Sequence, residues 1–94
     1  MPLGLAKECV EGIKYHHERF DGTGYPEGLR GAAIPIAAAI IAVADTYDAM
    51  VTDRPYRKGL KKETAIDEIV KNAETQFNPI VVRAMLELFE AKKI

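Results

Sequence analysis

Nine consecutive apolar residues, Ile36 to Ala44, follow directly on Pro35, and no other stretch constrains the fold as tightly. A run with no polar break is the mark of a buried helix, not of an alternating, half-wet element. Nine residues are too few to span a bilayer. Pro35 suits the first helical position, where its missing N–H costs nothing. The pattern predicts a fully buried helix over 35–52, with small alanines that let neighbouring helices come close. Helical spacing puts Ala38, Ile41, Ala42, Asp45, Asp48 and Thr52 on one face. Asp45 and Asp48 are therefore expected to project together from a buried element. Each should meet a cation, a metal or several hydrogen-bond donors, because an unpaired buried carboxylate is costly.

The other helices follow from periodicity. Over 3–17, Ala6, Cys9, Val10 and Ile13 recur at helical spacing, opposite Lys7, Glu8, Glu11 and Lys14, and Gly12 weakens the helix. His16 and His17 continue the apolar stripe, so the face that packs the core is expected to end in inward imidazoles. Residues 19–34 read as a loop, with glycines at 22, 24, 28 and 31 and a proline at 26. Gly22 and Gly24 are expected to adopt positive φ, and a loop this long tends to be functional. A basic connection, 53–60, leads to a helix over 62–74 that turns Ile66, Ile69, Val70 and Ala73 inward. Asn78-Pro79 has the form of a cap and first turn. It opens a helix over 79–92 that buries Val82, Met85, Leu86 and Phe89. No strand pattern or internal repeat occurs. Residues 1–94 are expected to form one all-α domain, a compact bundle of about four helices.

Composition excludes some functions. A net charge of −1 and a pI near 6.1 supply no basic field for nucleic acid or an anionic membrane. Cys9 is the single cysteine, so no internal disulfide forms and a reducing compartment fits. With no charged leader before an apolar run, a cytoplasmic location is expected.

Chemistry concentrates in His16-His17-Glu18-Arg19-Phe20-Asp21-Gly22-Thr23-Gly24-Tyr25-Pro26. Imidazole and carboxylate are the donors a catalytic divalent metal takes, which makes His16, His17 and Asp45 candidate ligands. The competing reading is a pair of helix-end histidines satisfied by backbone carbonyls, with Asp45 neutralised by an arginine.

The segments HHERFDGTGYPEGLRGAAIP, VADTYDAM and DRPYR, in this order, resemble the C-terminal part of the HD-GYP domain. That family hydrolyses cyclic di-GMP at a cluster of two or three metals, in bacterial signal transduction that includes response regulators. The resemblance implies that His16, His17 and Asp45 are metal ligands, for iron or manganese, with zinc also open. Adjacent helical residues diverge by about 100°, so the two histidines are expected to reach different metals. Asp48 has no ligand role to inherit and is expected to accept a hydrogen bond that orients a ligand imidazole or a local backbone group. Arg54 matches a position that contacts the substrate phosphate, with Arg57 beside it, and Tyr25 lies near the nucleotide; Arg54 and Tyr25 are the implied catalytic contacts. Gly24, Tyr25 and Pro26 match a loop proposed to dock GGDEF domains.

The family's name-giving His-Asp pair has no counterpart here, where His16 and His17 are the only histidines. Three ligands are too few for a metal cluster, so the chain alone is not expected to turn over cyclic di-GMP. The family usually carries arginine where Ala39 stands, and often aspartate where Asn78 stands. Two further readings differ in kind: a non-catalytic module that binds GGDEF proteins through Gly24-Tyr25-Pro26, and self-association through apolar helix faces left uncovered.

Overall fold

The computed structural model describes residues 3–92, with side chains from Lys7 onward except that of Glu8. Four α-helices follow one another among the described residues: α1 (Leu3–Tyr15), α2 (Ile36–Val51), α3 (Lys62–Lys71) and α4 (Pro79–Glu90), with a short 3-10 turn at Gly31–Ala33. The all-α bundle expected from periodicity is therefore the observed one. The expected inward place of Ala6, and the outward place of Glu8, lie outside the described side chains.

The core lies between α2, α3 and α4. Ala39 and Val43 of α2 meet Ile66 and Ile69 of α3 and Val81, Val82 and Met85 of α4, and Phe77 enters from the connection before α4. Tyr47, Met50, Ala73, Leu86 and Phe89 pack around this cluster. Ile69 is fully buried; burial of a side chain of that size is worth about 2 kcal/mol. Val70, expected inward, is 41% exposed instead. Asn78 caps α4 as its sequence implies, its Oδ1 accepting from the Ile80 N–H at 2.8 Å.

α2 departs from the expectation of burial all round. Ile36 and Ile40 are 58% and 51% exposed. α1 covers one flank of the helix and α3 and α4 another, leaving an arc open. Along it, Ile36, Ile40, Ala44 and Tyr47 face Ile80, Ala84 and Leu88 of α4 across an apolar groove of about 500 Å³. Pro35 is the N-cap, not the first helical residue; its carbonyl accepts from the Ala39 N–H.

α1 departs further. Cys9, Val10 and Ile13 point outward, Val10 and Ile13 at 61% and 66% exposure, and among the positions of α1 whose burial is described the buried one is Gly12. A Cβ at Gly12 would lie 2.8 Å from Ile41 Cδ1 and 3.5 Å from Ala37 Cβ. The bare backbone thus rests on α2, and the apolar stripe is turned away from it. Periodicity marks which residues share a face, and nothing in it says that the face is covered.

Candidate functional site

α1 ends at Tyr15, two residues sooner than its stripe suggests, and the way it ends shapes the site. The Glu18 N–H donates to the Tyr15 carbonyl at 3.0 Å, a tight turn that lifts His16 and His17 out of the helix. His16 Nδ1 lies 2.6 Å from the Ile13 carbonyl oxygen. A carbonyl only accepts, so Nδ1 carries a proton, which leaves Nε2 as the nitrogen by which the ring could ligate metal. Because both histidines sit in a turn, the expected 100° divergence does not occur. Their ring centroids are 4.0 Å apart, tilted by 41°.

Beyond the turn, the loop doubles back over the histidines. The Tyr25 ring stacks on His17 with centroids 4.9 Å apart and planes 20° apart. Gly24 makes that approach feasible, since any Cβ there would collide with the backbone of His17 and Arg19. Its φ is not among the positive ones; those belong to Gly22, Gly28 and Gly31. Close backbone contact, not left-handed conformation, is what requires glycine at position 24. The loop's base is sewn to the α3–α4 connection by Phe20 N–H to Gln76 carbonyl (3.1 Å) and Asp21 N–H to Thr75 carbonyl (2.8 Å).

A cleft of about 480 Å³ opens between this loop and α2. His16, His17, Tyr25, Asp45 and Arg57 all line it, with Glu18, Arg19, Thr23, Thr46 and Gln76 among their neighbours. Arg57 is held in place at the end of α2: its Nη2 donates to the Ala49 carbonyl at 2.6 Å and its Nη1 to the Lys58 carbonyl at 3.2 Å. The guanidinium caps the negative end of that helix. A reciprocal turn, Arg54 N–H to Arg57 carbonyl and back, sets its direction.

Three sequence candidates stand elsewhere. Arg54 is exposed and is not part of the cleft lining. Asp48 lies about 120° round α2 from Ala42 at 100° per residue; it is exposed, and its Oδ1 accepts from the Thr52 hydroxyl at 3.2 Å. Pro26 is exposed at the loop's outer rim, while Gly24 and Tyr25 line the cleft. The expectation of two buried carboxylates does not hold, since Asp45 is also exposed.

Residues that sequence reasoning passed over complete the site. Glu18 is 4% exposed and its carboxylate accepts from the backbone N–H groups of Glu27 and Leu29. Asp21 accepts from both the hydroxyl and the N–H of Thr23, at 2.6 and 3.0 Å. Those bonds, the hydroxyl's first, hold its carboxyl below the usual value. Arg19 lines the cleft with Nε buried and 3.7 Å from Asp21 Oδ1. The signal for Glu18 was available: a loop rich in glycine has free amides, and an acidic residue at its root can satisfy them.

The donors suit a divalent metal in kind. His16, with Nδ1 engaged, His17 beside it and Asp45 of α2 line the same cleft. In placement they fall short: among the described residues no three histidine, cysteine or acidic side chains, His16, His17 and Asp45 included, converge closely enough to hold an ion.

A family model described as HD domain matches residues 1–81. The chain belongs to the HD domain family. A cyclic di-GMP phosphodiesterase of Thermotoga maritima is 49% identical over 73 residues, which is 78% of this chain and 20% of the relative. A 3'3'-cGAMP-specific phosphodiesterase of Vibrio cholerae is 60% identical over 57 residues, 61% of this chain and 13% of the relative. The crystal structure of a cyclic GMP-AMP specific phosphodiesterase of V. cholerae superposes with a TM-score of 0.77 at 27% identity, over 89% of this chain and 19% of that one. The chain thus spans at most about a fifth of the length of these relatives. The resemblance to HD-GYP proteins drawn from three motifs is borne out, and phosphodiesterases of this family are metal-dependent. No helix among the described residues is long and apolar enough to cross a membrane.

Proposed function

We propose that this chain forms one wall of the active site of a cytoplasmic, metal-dependent cyclic dinucleotide phosphodiesterase. The observation that carries this reading is the convergence of His16, His17, Asp45, Tyr25 and Arg57 on one cleft. In it, His16, His17 and Asp45 are the donors this wall would offer to divalent metal, further ligands being needed to hold it, and iron, manganese and zinc are all compatible with nitrogen and oxygen donors. When bound, such ions supply an activated water and polarise a phosphoryl group. Tyr25 offers a flat surface for a base, and Arg57 a fixed guanidinium for a phosphodiester. Arg57 takes the phosphate contact that the sequence motif suggested for Arg54, because Arg57 lines the cleft and Arg54 does not. Cyclic di-GMP is the first substrate to test, and 3'3'-cGAMP the second, as relatives of both specificities match.

The ligand count predicts that the 94 residues bind metal weakly and do not turn over nucleotide by themselves. The test is hydrolysis of cyclic di-GMP and of 3'3'-cGAMP with added Mn²⁺ or Fe²⁺. It is run on the 94-residue chain and on the same chain joined to an upstream HD-bearing segment from a relative. Turnover only in the joined protein, lost on His17→Ala, supports the reading. Metal-dependent turnover by the 94 residues would falsify the claim of an incomplete ligand set. The docking-module reading is not favoured: the relatives that match are phosphodiesterases, and Tyr25 is turned onto His17.

A further inference from the structure

Glu18 is the one buried charged residue among the described residues, and it takes part in neither of the ion pairs found among them. Its two oxygens are spent on the loop: Oε2 accepts from the Glu27 N–H at 2.7 Å and Oε1 from the Leu29 N–H at 2.9 Å. These charge-assisted bonds tie down the outgoing limb just beyond Pro26. The incoming limb is fixed by Tyr25 N–H to His17 carbonyl at 3.3 Å and by the close seat of Gly24 on the His17 backbone. Tyr25 lies between the two anchors, stacked on the His17 ring. No helix or sheet ladder holds this part of the chain.

We propose that Glu18 is the positioning residue of the cleft: it fastens the loop from within, so that Tyr25 lies flat on His17 and fixes the attitude of that imidazole. A carboxylate is required because two N–H donors need two acceptors. Glutamine has the same shape but presents an NH₂ group to one of them. Both carboxylate oxygens of Glu18 are engaged by loop amides, so its action on the cleft runs through Tyr25. The inference deepens the reading above and rests on it only for the use made of His17; the clamp itself exists in the ligand-free chain.

The experiment is NMR on the chain with labelled histidines, of which there are two. In the wild type, the Tyr25 ring current displaces the His17 ring signals upfield, and Tyr25→Ala abolishes that displacement. Glu18→Gln is expected to move the His17 signals most of the way to their Tyr25→Ala positions. The double variant should rest where Tyr25→Ala does, since both changes act through one stack. Unmoved His17 signals in a Glu18→Gln protein of normal helical circular dichroism overturn the proposal, as do additive shifts in the double variant. Should Glu18→Gln fail to fold, amide exchange in the wild type decides: Glu27 and Leu29 must exchange more slowly than Gly28 between them, and equal rates overturn it. Absence of hydrolysis in the joined enzyme would sink the phosphodiesterase reading and leave all of these signals as they are.

Discussion

On one side of α2, Ala39 and Val43 press against α3 and α4 in a core made of carbon. On the other, Ala42, Asp45, Thr46 and Ala49 face a cleft whose far wall is a loop held by hydrogen bonds to backbone. The first side draws its stability from area removed from water and tolerates no voids. The second owes its shape to a few directional bonds, each of modest net worth. One helix therefore joins a part that decides whether the chain folds to a part that decides where side chains point. Damage to the core should destroy both, while damage to the cleft wall should leave the helices standing.

The largest effect should come from Ile69→Ala, which empties the most buried position of the core. A loss of about 3 kcal/mol is expected by urea unfolding; less than about 1 kcal/mol would erase the contrast drawn above. Next is Gly24→Ala, whose Cβ would strike backbone of His17 and Arg19. It should cost about 1–2 kcal/mol and abolish the His17 ring-current shift with helical signal retained; a proportional loss of helix would show that the two sides are not separable. Asn78→Ala removes the cap of α4 and should cost about 1 kcal/mol in the same melt. Ile80→Glu, on the open groove where Ile80 is 74% exposed, should change stability by no more than about 0.5 kcal/mol. It should also lower any concentration-dependent association seen by sedimentation, and unchanged association would remove that groove as its cause.

The smallest effect concerns acid. Thr23 holds the Asp21 carboxyl below its ordinary 3.8. A carboxyl lowered in the folded state adds stability above its unfolded value, and that stability is lost as pH falls through the folded value. Thr23→Val removes the hydroxyl donor, so the Asp21 midpoint should rise toward the unfolded value, and the acid-side loss should become smaller and be complete at a higher pH. An NMR titration of Asp21 checks this, and an unmoved midpoint refutes it.

The helices were legible because apolar spacing reports faces directly, and the Asn78-Pro79 start because cap chemistry is local. Their coverage was not legible. Val10 and Ile13 form a stripe as regular as that of α4, yet α1 meets α2 through Gly12. The end of α1 was misjudged because the Ile13 carbonyl is taken by the side chain of His16, a contact that no periodicity encodes. Of two arginines three residues apart, the structure turns Arg57 to the cleft and not Arg54, through a turn whose direction depends on the fold around Met50 and Gly59. Gly59 itself admits no Cβ against the Val51 carbonyl. Of the residues the family motifs pointed to, His16, His17, Tyr25, Asp45 and Arg57 line one cleft and Arg54 does not, and the motifs carry no account of the loop and turn that decide between them.

Arg57 reaches its carbonyl partners before anything enters the cleft. A long cationic side chain gives up about 2 kcal/mol of rotamer freedom when it is pinned. Here that freedom is surrendered as the polypeptide folds, and three of the five guanidinium protons remain unengaged by those two bonds. An arriving anion meets a donor array already at rest, so the entropy of gripping it was settled before the encounter.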